Sequence, residues 1–360
     1  MFALPFPTET WYSAWLAMLL VAFSSALLLG LAFVPLVRHY ALKANLLDQP
    51  GGRKLHAVPV PRLGGVAIFV SVLAALGIVG LWQGQVPLLR AGTSSPALGM
   101  LLGGTFIFML GFLDDLVDLS PKVKLAGQFM AALIAFGLGV RIEALDLPGS
   151  KLLVLNALSL PLTVGWLVGL PNSLNFIDGV DGLAAGVGVF AAIALALVAL
   201  FTTQPDMAML AALLAGASVA FLVYNLPPAK LFMGDSGALF LGFMLASIAI
   251  VGVLKTTVVV ILAPLLILGI PLTDITFATL RRLAKGQSPF KADADHLHHR
   301  LLRLGLSPGW VSAVFYGISV LLGIVVTSYV GLAKEYLLIV LGVLLVLLAG
   351  YALRRKLLCR

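Results

Sequence analysis

Aspartate is concentrated in four short polar segments of this sequence, each bordered by long apolar stretches. Eight of the twelve aspartates fall in GFLDDLVD (111–118), NSLNFIDGVDG (172–182), MGDSG (233–237) and KADADHLHH (291–299). A carboxylate close to hydrocarbon is energetically costly, and it therefore usually marks a functional site. The grouping predicts a site that holds a divalent cation and a diphosphate next to a lipid head group.

The first acidic segment carries Asp114, Asp115 and Asp118. If this segment is helical, Asp114 and Asp118 share a face at a spacing of four residues, with Asp115 beside them. Three like charges at this spacing repel one another and raise their pKa values unless a cation neutralises them. We interpret the group as a metal site or a general-base site, and a solvated acidic helix end is the alternative. Lys124, a turn or two later, either holds phosphate or marks the cytoplasmic side.

The second acidic segment combines two amides and two carboxylates at intervals of three residues: Asn172, Asn175, Asp178 and Asp181. On a helix, this spacing places the four side chains on one stripe. Amide and carboxylate oxygens together suit a Mg²⁺ shell or the polar groups of a ribose and a uracil. Helix capping by Asn and Asp is the structural alternative.

The third acidic segment holds Asp235 among glycines and between two apolar stretches. Hard cations take oxygen ligands, and Mg²⁺ uses one or two carboxylates together with the phosphates of its substrate. Asp235 is therefore our first choice for a direct metal ligand. Ser236 equally fits the N-cap of the helix that follows.

Histidines and basic residues supply candidates for phosphate binding. His296 and His299 share a face if their segment is helical, and His298 lies between them. Imidazoles in this position contact phosphate or donate protons. Lys54 and Arg62 lie in a loop rich in glycine and proline, and an arginine fork matches phosphate geometry. The structural alternatives are incidental surface histidines and basic residues that only anchor the loop at the membrane.

The elements that must position these residues are membrane-spanning helices. The chain is 61% apolar and 11% charged, with a mean hydropathy of +1.10, which is typical of polytopic membrane proteins and excludes a soluble globular domain. One span needs about 20 apolar residues. We predict an all-α polytopic membrane protein with about 11 transmembrane helices in one integral-membrane domain, residues 1–360. The predicted spans are 13–37, 64–82, 97–113, 124–140, 157–174, 183–203, 207–224, 236–254, 256–280, 311–331 and 335–353.

The fifth of these spans is the weakest prediction, because Pro161 and Pro171 interrupt it. Residues 143–156, which precede it, are expected to form a short interfacial or irregular piece.

The distribution of Lys and Arg predicts the orientation of the helices. With the N-terminus outside, eighteen of the 23 Lys and Arg residues fall in inner loops and five in outer loops, which is a strong positive-inside bias. The C-terminus is then cytoplasmic, and the active site is expected in the cytoplasmic loops near 38–63, 114–123, 175–182, 225–235 and 281–310. The same bias explains the net charge of +8, so nucleic acid is not an expected partner.

Carboxylates for a metal, bases for phosphate and histidines on one face of a membrane indicate phosphoryl transfer between a soluble substrate and a lipid. A transporter for a lipid-linked or anionic solute is the alternative from another class. It would need polar residues within its spans, and Asp274 in the ninth span is the one clear candidate.

The ordered motifs resemble those of the polyprenyl-phosphate N-acetylhexosamine-1-phosphate transferases. They are PxPRxGG (59–65), DDxxD (114–118), NxxNxxDGxDG (172–182), MGDSG (233–237) and HxHH (296–299), and the resemblance extends over about residues 38–303. It implies Mg²⁺, with Mn²⁺ as a substitute, and a cytoplasmic active site in a bacterial plasma membrane. The implied reaction moves a sugar 1-phosphate from a UDP-sugar to undecaprenyl phosphate and releases UMP. Membrane lipids are further partners, and a homodimer is compatible with the sequence.

Two branches of this family differ in their sugar. The SPFxADxxHLHHRL run (288–301) resembles the branch that uses UDP-GlcNAc and begins teichoic acid, common antigen or O-antigen synthesis. The branch that uses UDP-MurNAc-pentapeptide tends to carry KPTMGG near residues 61–65 and three consecutive histidines near residues 296–299. We therefore expect GlcNAc 1-phosphate to be transferred, with the pentapeptide sugar as the alternative.

The resemblance also implies a role for each candidate residue. Asp235 would ligate Mg²⁺, with Asp181 or Asp178 assisting, and Asp114 or Asp115 would deprotonate or orient the lipid phosphate. The residues expected to bind substrate are Lys54, Arg62, Asp118, Lys124, Asn172, Asn175, His296, His298 and His299.

Overall fold

The computed structural model describes residues 9–50, 58–82, 96–145, 153–252, 297–329 and 331–358. The helices are α1 (Glu9–Lys43), α2 (Gly64–Trp82), α3 (Pro96–Val117), α4 (Pro121–Gly137), α5 (Ser159–Ile177), α6 (Leu183–Phe201), α7 (Pro205–Asn225), α8 (Gly234–Gly252), α9 (Leu297–Arg303), α10 (Pro308–Tyr329) and α11 (Ala333–Leu358). Two short hairpins accompany them, formed by β1 (Leu47–Asp48) with β2 (Val60–Pro61) and by β3 (Ala144–Leu145) with β4 (Leu153–Val154).

The predicted all-α, multi-pass membrane architecture is confirmed. Within the described ranges, nine helices are long and apolar enough to cross a membrane. The fourth predicted span is also a helix, α4, although with 17 residues it is not among those nine. The ninth predicted span, 256–280, lies outside the described residues, and so does most of the adjoining inner loop.

The fifth span is continuous where the sequence suggested an interruption. Helix α5 passes through Pro171, while Pro161 lies in its first turn, where the missing N–H has no helical partner to lose. The residues before it are irregular, as expected, because they contain the β3–β4 hairpin and a single 3₁₀ turn, Asn156–Leu158.

The apolar faces of the helices decide which of them lie at the centre of the bundle. Helix α6 is apolar on all sides and is buried along nearly its whole length, and α7 and α8 are buried almost as completely. A helix without a polar face belongs in the core or against lipid. Helices α1, α10 and α11 surround this core and leave many leucines exposed on the surface that faces lipid.

Glycines allow helices α2 and α3 to approach the N-terminus of α8 very closely. A Cβ atom on Gly65 would lie 2.2 Å from the backbone nitrogen of Gly237, and one on Gly111 would lie 2.6 Å from the Cα of Ser236. Both contacts are with backbone, which cannot rotate away as a side chain could. The start of α8, which carries the third acidic segment, is therefore fixed between two neighbouring helices.

The residues that lead from β2 into α2 are attached to the same place. The N–H of Phe232 donates to the carbonyl of Pro61 at 2.9 Å, and the N–H of Gly64 donates to the carbonyl of Phe232 at 2.8 Å. Strand β1 pairs with β2, with Asp48 opposite Val60, and Arg62, directly after β2, forms a bridge with Phe232. This pairing brings the PxPRxGG motif alongside MGDSG.

We predict that Gly65→Ala lowers the free energy of unfolding by about 1–3 kcal/mol, because α2 must move away from α8 to accommodate the methyl group. Gly77→Ala on the same helix is the matched control, since a Cβ atom there meets nothing within 4 Å among the described residues. Thermal unfolding of the detergent-solubilised protein measures both. Equal midpoints for the two variants would contradict the close approach.

Candidate active site

Polar loops from four parts of the chain enclose a cleft of about 350 Å³ at one end of the bundle. This is the end at which α3, α5 and α7 finish and α6 and α8 begin. The residues that line the cleft are Asp48, Arg62, Asp115, Asn175, Phe176, Asp178, Gly179, Val180, Asp181, Asn225, Phe232, Gly234 and Asp235. Three of the four acidic segments therefore meet in one place, together with Asp48 and Arg62, which lie between α1 and α2.

Asp235 lies in the first turn of α8 and has a cation and an amide beside its carboxylate. The ammonium of Lys124 donates to it at 3.1 Å, and Asn175 lines the same cleft. The same ammonium forms an ion pair with Asp114. Lys124 thus lies between two carboxylates, and its predicted contact with phosphate stays a prediction.

Asp115 joins α3 to α8. Its two carboxylate oxygens accept the N–H groups of Asp235, at 2.8 Å, and of Ser236, at 3.1 Å, and the residue is buried. These N–H groups belong to the first turn of α8 and have no partner within their own helix. The interpretation of Ser236 as the N-cap is therefore wrong, because α8 begins at Gly234 and an aspartate of another helix caps it.

Gly234 makes room for this cap. It has a φ of +75°, and a Cβ atom there would lie 2.5 Å from an oxygen of Asp115. The glycine in the MGDSG motif is thus required both by its backbone conformation and by the neighbouring carboxylate.

The three aspartates of the first segment have separate environments. One oxygen of Asp114 accepts the N–H of Leu119 at 2.8 Å and the other pairs with Lys124, and this residue is buried. Helix α3 ends at Val117, and Asp118 turns out of it with a φ of +50° and is exposed. The expectation that Asp114 and Asp118 share a helical face is therefore wrong, because the helix stops between them.

The polar stripe of the second segment is also interrupted by a helix end. Asn172 lies within α5 and exchanges two side-chain hydrogen bonds with Gln128 of α4, at 2.6 and 3.1 Å. It is not among the residues that line the cleft, whereas Asn175 is. Helix α5 ends at Ile177, so a single helical stripe over the whole segment is wrong.

Asp178 and Asp181 follow the end of α5 and line the cleft. Burial raises the pKa of the Asp178 carboxyl well above its usual value, and the negative charges of Asp235, Asp115 and Asp181 raise this pKa further. The arrangement therefore holds more negative charge than its own cations neutralise, and a divalent cation would stabilise it.

The turn at Asp181 is held by residues at and after the end of α7. An oxygen of Asp181 accepts the N–H of Ala229 at 2.9 Å, and the N–H of Gly182 donates to the side-chain oxygen of Asn225 at 3.0 Å. The amide nitrogen of Asn225 donates in turn to the carbonyl of Leu231 at 3.0 Å. One buried side chain therefore links the second acidic segment to Leu231, two residues before the third.

Sequence reasoning did not single out Asn225 or Asp48 as site residues, although both line the cleft. A signal was present in each case. Asn225 is an isolated amide at the end of an apolar span, and Asp48 is a further aspartate at the start of the first inner loop.

Four of the predicted residues are described incompletely or not at all. Lys54 and His296 lie outside the described residues. His298 and His299 belong to helix α9, for which the structure describes the backbone at these two positions.

The donor set of the cleft fits a hard cation. Asp178, Asp181 and Asp235 offer carboxylate oxygens, while both oxygens of Asp115 already accept backbone N–H groups. In the part of the chain that the structure describes, no group of three or more His, Cys, Asp or Glu side chains is arranged as a metal centre. An ion here would depend on one or two carboxylates and on phosphate oxygens of a substrate, which is how Mg²⁺ is usually held.

Comparison with known proteins identifies the family. The model of glycosyl transferase family 4 matches residues 97–253, which contain the first three acidic segments. A Bacillus subtilis protein, "Probable undecaprenyl-phosphate N-acetylglucosaminyl 1-phosphate transferase", is 37% identical over 83% of this chain and 81% of its own length. The chain belongs to glycosyl transferase family 4.

Two further relatives carry related names. The Mycobacterium tuberculosis (H37Rv) "Decaprenyl-phosphate N-acetylglucosaminephosphotransferase" is 34% identical over 82% of this chain and 78% of its own length. The Escherichia coli (K12) "Undecaprenyl-phosphate alpha-N-acetylglucosaminyl 1-phosphate transferase" is 28% identical over 90% of this chain and 88% of its own. The predicted family and its GlcNAc branch are confirmed, and the pentapeptide-sugar branch is not favoured.

We predict that Asp115→Asn destabilises the protein by about 1–3 kcal/mol, because one of the two buried N–H groups of α8 then faces an amide nitrogen instead of an oxygen. Asp118→Asn is the matched control. This residue is exposed in a left-handed conformation that asparagine tolerates. The free energy of unfolding of Asp118→Asn should therefore stay within about 0.5 kcal/mol of the wild-type value. Thermal unfolding in detergent measures both changes, and an unchanged midpoint for Asp115→Asn would exclude the capping role.

Proposed function

We propose that the protein transfers N-acetylglucosamine 1-phosphate from UDP-GlcNAc to undecaprenyl phosphate, forming undecaprenyl-diphospho-GlcNAc and releasing UMP. The observation that carries the proposal is the acidic cleft at one end of an apolar helix bundle, in a chain 37% identical to a relative named for this transfer. The cleft volume of about 350 Å³ lies within the usual range for small-molecule sites.

The cleft offers complementary groups to both substrates. Arg62 lines it and supplies a fork that matches a diphosphate. The exposed apolar surfaces of the surrounding helices are suited to an isoprenoid chain, which would enter from the membrane. A polar donor and an apolar acceptor can thus reach one place from different sides.

Mg²⁺ is the proposed cofactor, with Mn²⁺ as a substitute. Asp235, with Asp181 or Asp178, would hold it, and it would supply positive charge to the diphosphate of the donor. The remaining side chains would fix these carboxylates. Lys124 neutralises Asp235 and Asp114, while Asp115 anchors the first turn of α8.

In the proposed reaction, an oxygen of the lipid phosphate attacks the β-phosphorus of UDP-GlcNAc directly; a two-step route through an aspartyl-phosphoryl intermediate is the alternative. The bond from this phosphorus to the bridging oxygen breaks, and UMP leaves with that oxygen. A phosphate monoester has a second pKa of about 6, so most of the acceptor is already a dianion at neutral pH. Asp114 is therefore assigned to orientation of the acceptor through Lys124 rather than to removal of a proton, and catalysis is mostly positioning and charge neutralisation.

The proposed placement is the bacterial plasma membrane, with the N-terminus outside and the cleft on the cytoplasmic side. The excess of Lys and Arg in the loops at the cleft end of the bundle supports this orientation. A homodimer stays a prediction.

We expect the purified protein, supplied with Mg²⁺ and undecaprenyl phosphate, to release UMP from UDP-GlcNAc and not from UDP-MurNAc-pentapeptide. Chromatographic detection of UMP measures this directly, and omission of the lipid is the control for hydrolysis. Release from the pentapeptide sugar alone would preserve the chemistry and overturn the sugar. No release from either donor, in folded protein, would overturn the proposal and point to another sugar nucleotide or to a transporter.

Asp235→Asn should lower the rate of UMP release by about 100-fold or more, because the substitution removes a negatively charged ligand of the proposed Mg²⁺ while it keeps the shape of the side chain. Asp206→Asn is the matched control, since Asp206 lies in the first turn of α7, at the other end of that helix from Asn225 and the cleft. Full turnover by Asp235→Asn would remove this residue from the metal site.

A further inference from the structure

Helix α10 reaches the acidic cleft although none of its residues lines it. The hydroxyl of Ser312 donates to the backbone carbonyl of Asp181 at 2.9 Å, and the hydroxyl of Tyr316 donates to the backbone carbonyl of Gly182 at 2.5 Å. The two residues are one turn apart, so both hydroxyls project from the same face of α10. This helix therefore holds two consecutive peptide groups of the second acidic segment.

The sequence opposite α10 is adapted to this contact. A Cβ atom on Gly186 would lie 2.1 Å from the ring of Tyr316, so a larger residue would displace the ring. Phe190, one turn later in α6, contacts the ring edge to face with centroids 5.4 Å apart. The tyrosine thus sits in a defined position, and its hydroxyl is directed at the turn that begins α6.

The turn contains a glycine, so contacts with its neighbours must restrain it. Gly182 has a φ of +77°, and its carbonyl accepts the first backbone hydrogen bond of α6, from Gly186 at 2.9 Å. Residues at and after the end of α7 hold the other side of the turn, because the N–H of Ala229 donates to the carboxylate of Asp181 and the side chain of Asn225 accepts the N–H of Gly182. Removal of the contacts from α10 would leave the turn supported from one side.

We propose that Ser312 and Tyr316 are positioning residues that fix the carboxylate of Asp181 in the cleft by holding the Asp181–Gly182 turn from α10. Both lie outside residues 97–253, the part that the family model matches. The inference rests on the proposed function for its kinetic consequence. Its structural consequence, a rigid turn, is independent of what reaction the protein performs.

The chain offers a chemically matched control for each hydroxyl. Ser319 lies on the same helix, and its buried hydroxyl has no hydrogen-bond partner among the described residues. Tyr336 lies on α11, and its buried hydroxyl likewise has none in the described part of the chain. Ser312→Ala can therefore be compared with Ser319→Ala, and Tyr316→Phe with Tyr336→Phe.

Hydrogen exchange followed by mass spectrometry tests the turn without any substrate or metal. We expect amides of residues 179–187 to exchange roughly threefold to tenfold faster in Ser312→Ala and in Tyr316→Phe, as the loss of one hydrogen bond implies. The Ser319→Ala and Tyr336→Phe variants should exchange in this segment at the wild-type rate. Unchanged exchange in both test variants, or an equal increase in test and control variants, overturns the inference.

UMP release measured against Mg²⁺ concentration tests the consequence for Asp181. If Asp181 is held less firmly as a ligand, the Mg²⁺ concentration that gives half of the maximal rate should rise by about threefold to tenfold. A purely structural defect would lower the amount of active protein and leave that concentration unchanged, and this result would overturn the positioning role. If the wild type releases no UMP, the proposed function fails, whereas the exchange comparison still decides whether α10 fixes the turn.

Discussion

The two hydrogen bonds from the start of α8 to the carboxylate of Asp115 are the interaction on which the rest of the cleft depends. They satisfy backbone donors that no residue of α8 can satisfy, at the edge of a bundle where unpaired polar groups are costly. Because the acceptor belongs to α3, the bond that completes α8 also fixes the distance between the two helices. Asp235 is part of this first turn, so its position follows from the same two bonds.

This cap explains why aspartates of one segment have different functions. Both carboxylate oxygens of Asp115 accept backbone N–H groups of α8, and Asp115 thereby positions Asp235. The carboxylate of Asp114 instead pairs with the ammonium of Lys124 and accepts one backbone N–H. Asp118, three residues after Asp115, is exposed because the helix has already ended. Residue type is identical in the three cases, and the neighbours alone distinguish an anchor, an ion-pair partner and a surface charge.

The cleft is built almost entirely from the ends of helices. Helices that cross a membrane turn at its two surfaces, so several ends meet at the same surface, and charge is concentrated in these ends and in the loops between them. Close packing of these ends requires small residues, and glycines at positions 65, 111 and 234 fill that requirement where a Cβ atom would strike backbone or carboxylate. The glycines thus allow neighbouring segments to approach closely, and these segments hold the aspartates in position.

The sequence by itself determined the membrane class, the positions of the helices and the residues of three acidic segments. These depend on local properties, namely runs of apolar residues about as long as a bilayer is thick and charges that hydrocarbon excludes. Tertiary structure decided what each carboxylate contacts. The pairing of Asn172 with Gln128, the attachment of Asp181 to Ala229 and the use of Asn225 as a link each join residues far apart in the chain. Such contacts depend on which helix ends become neighbours, and no spacing within a single segment encodes that choice.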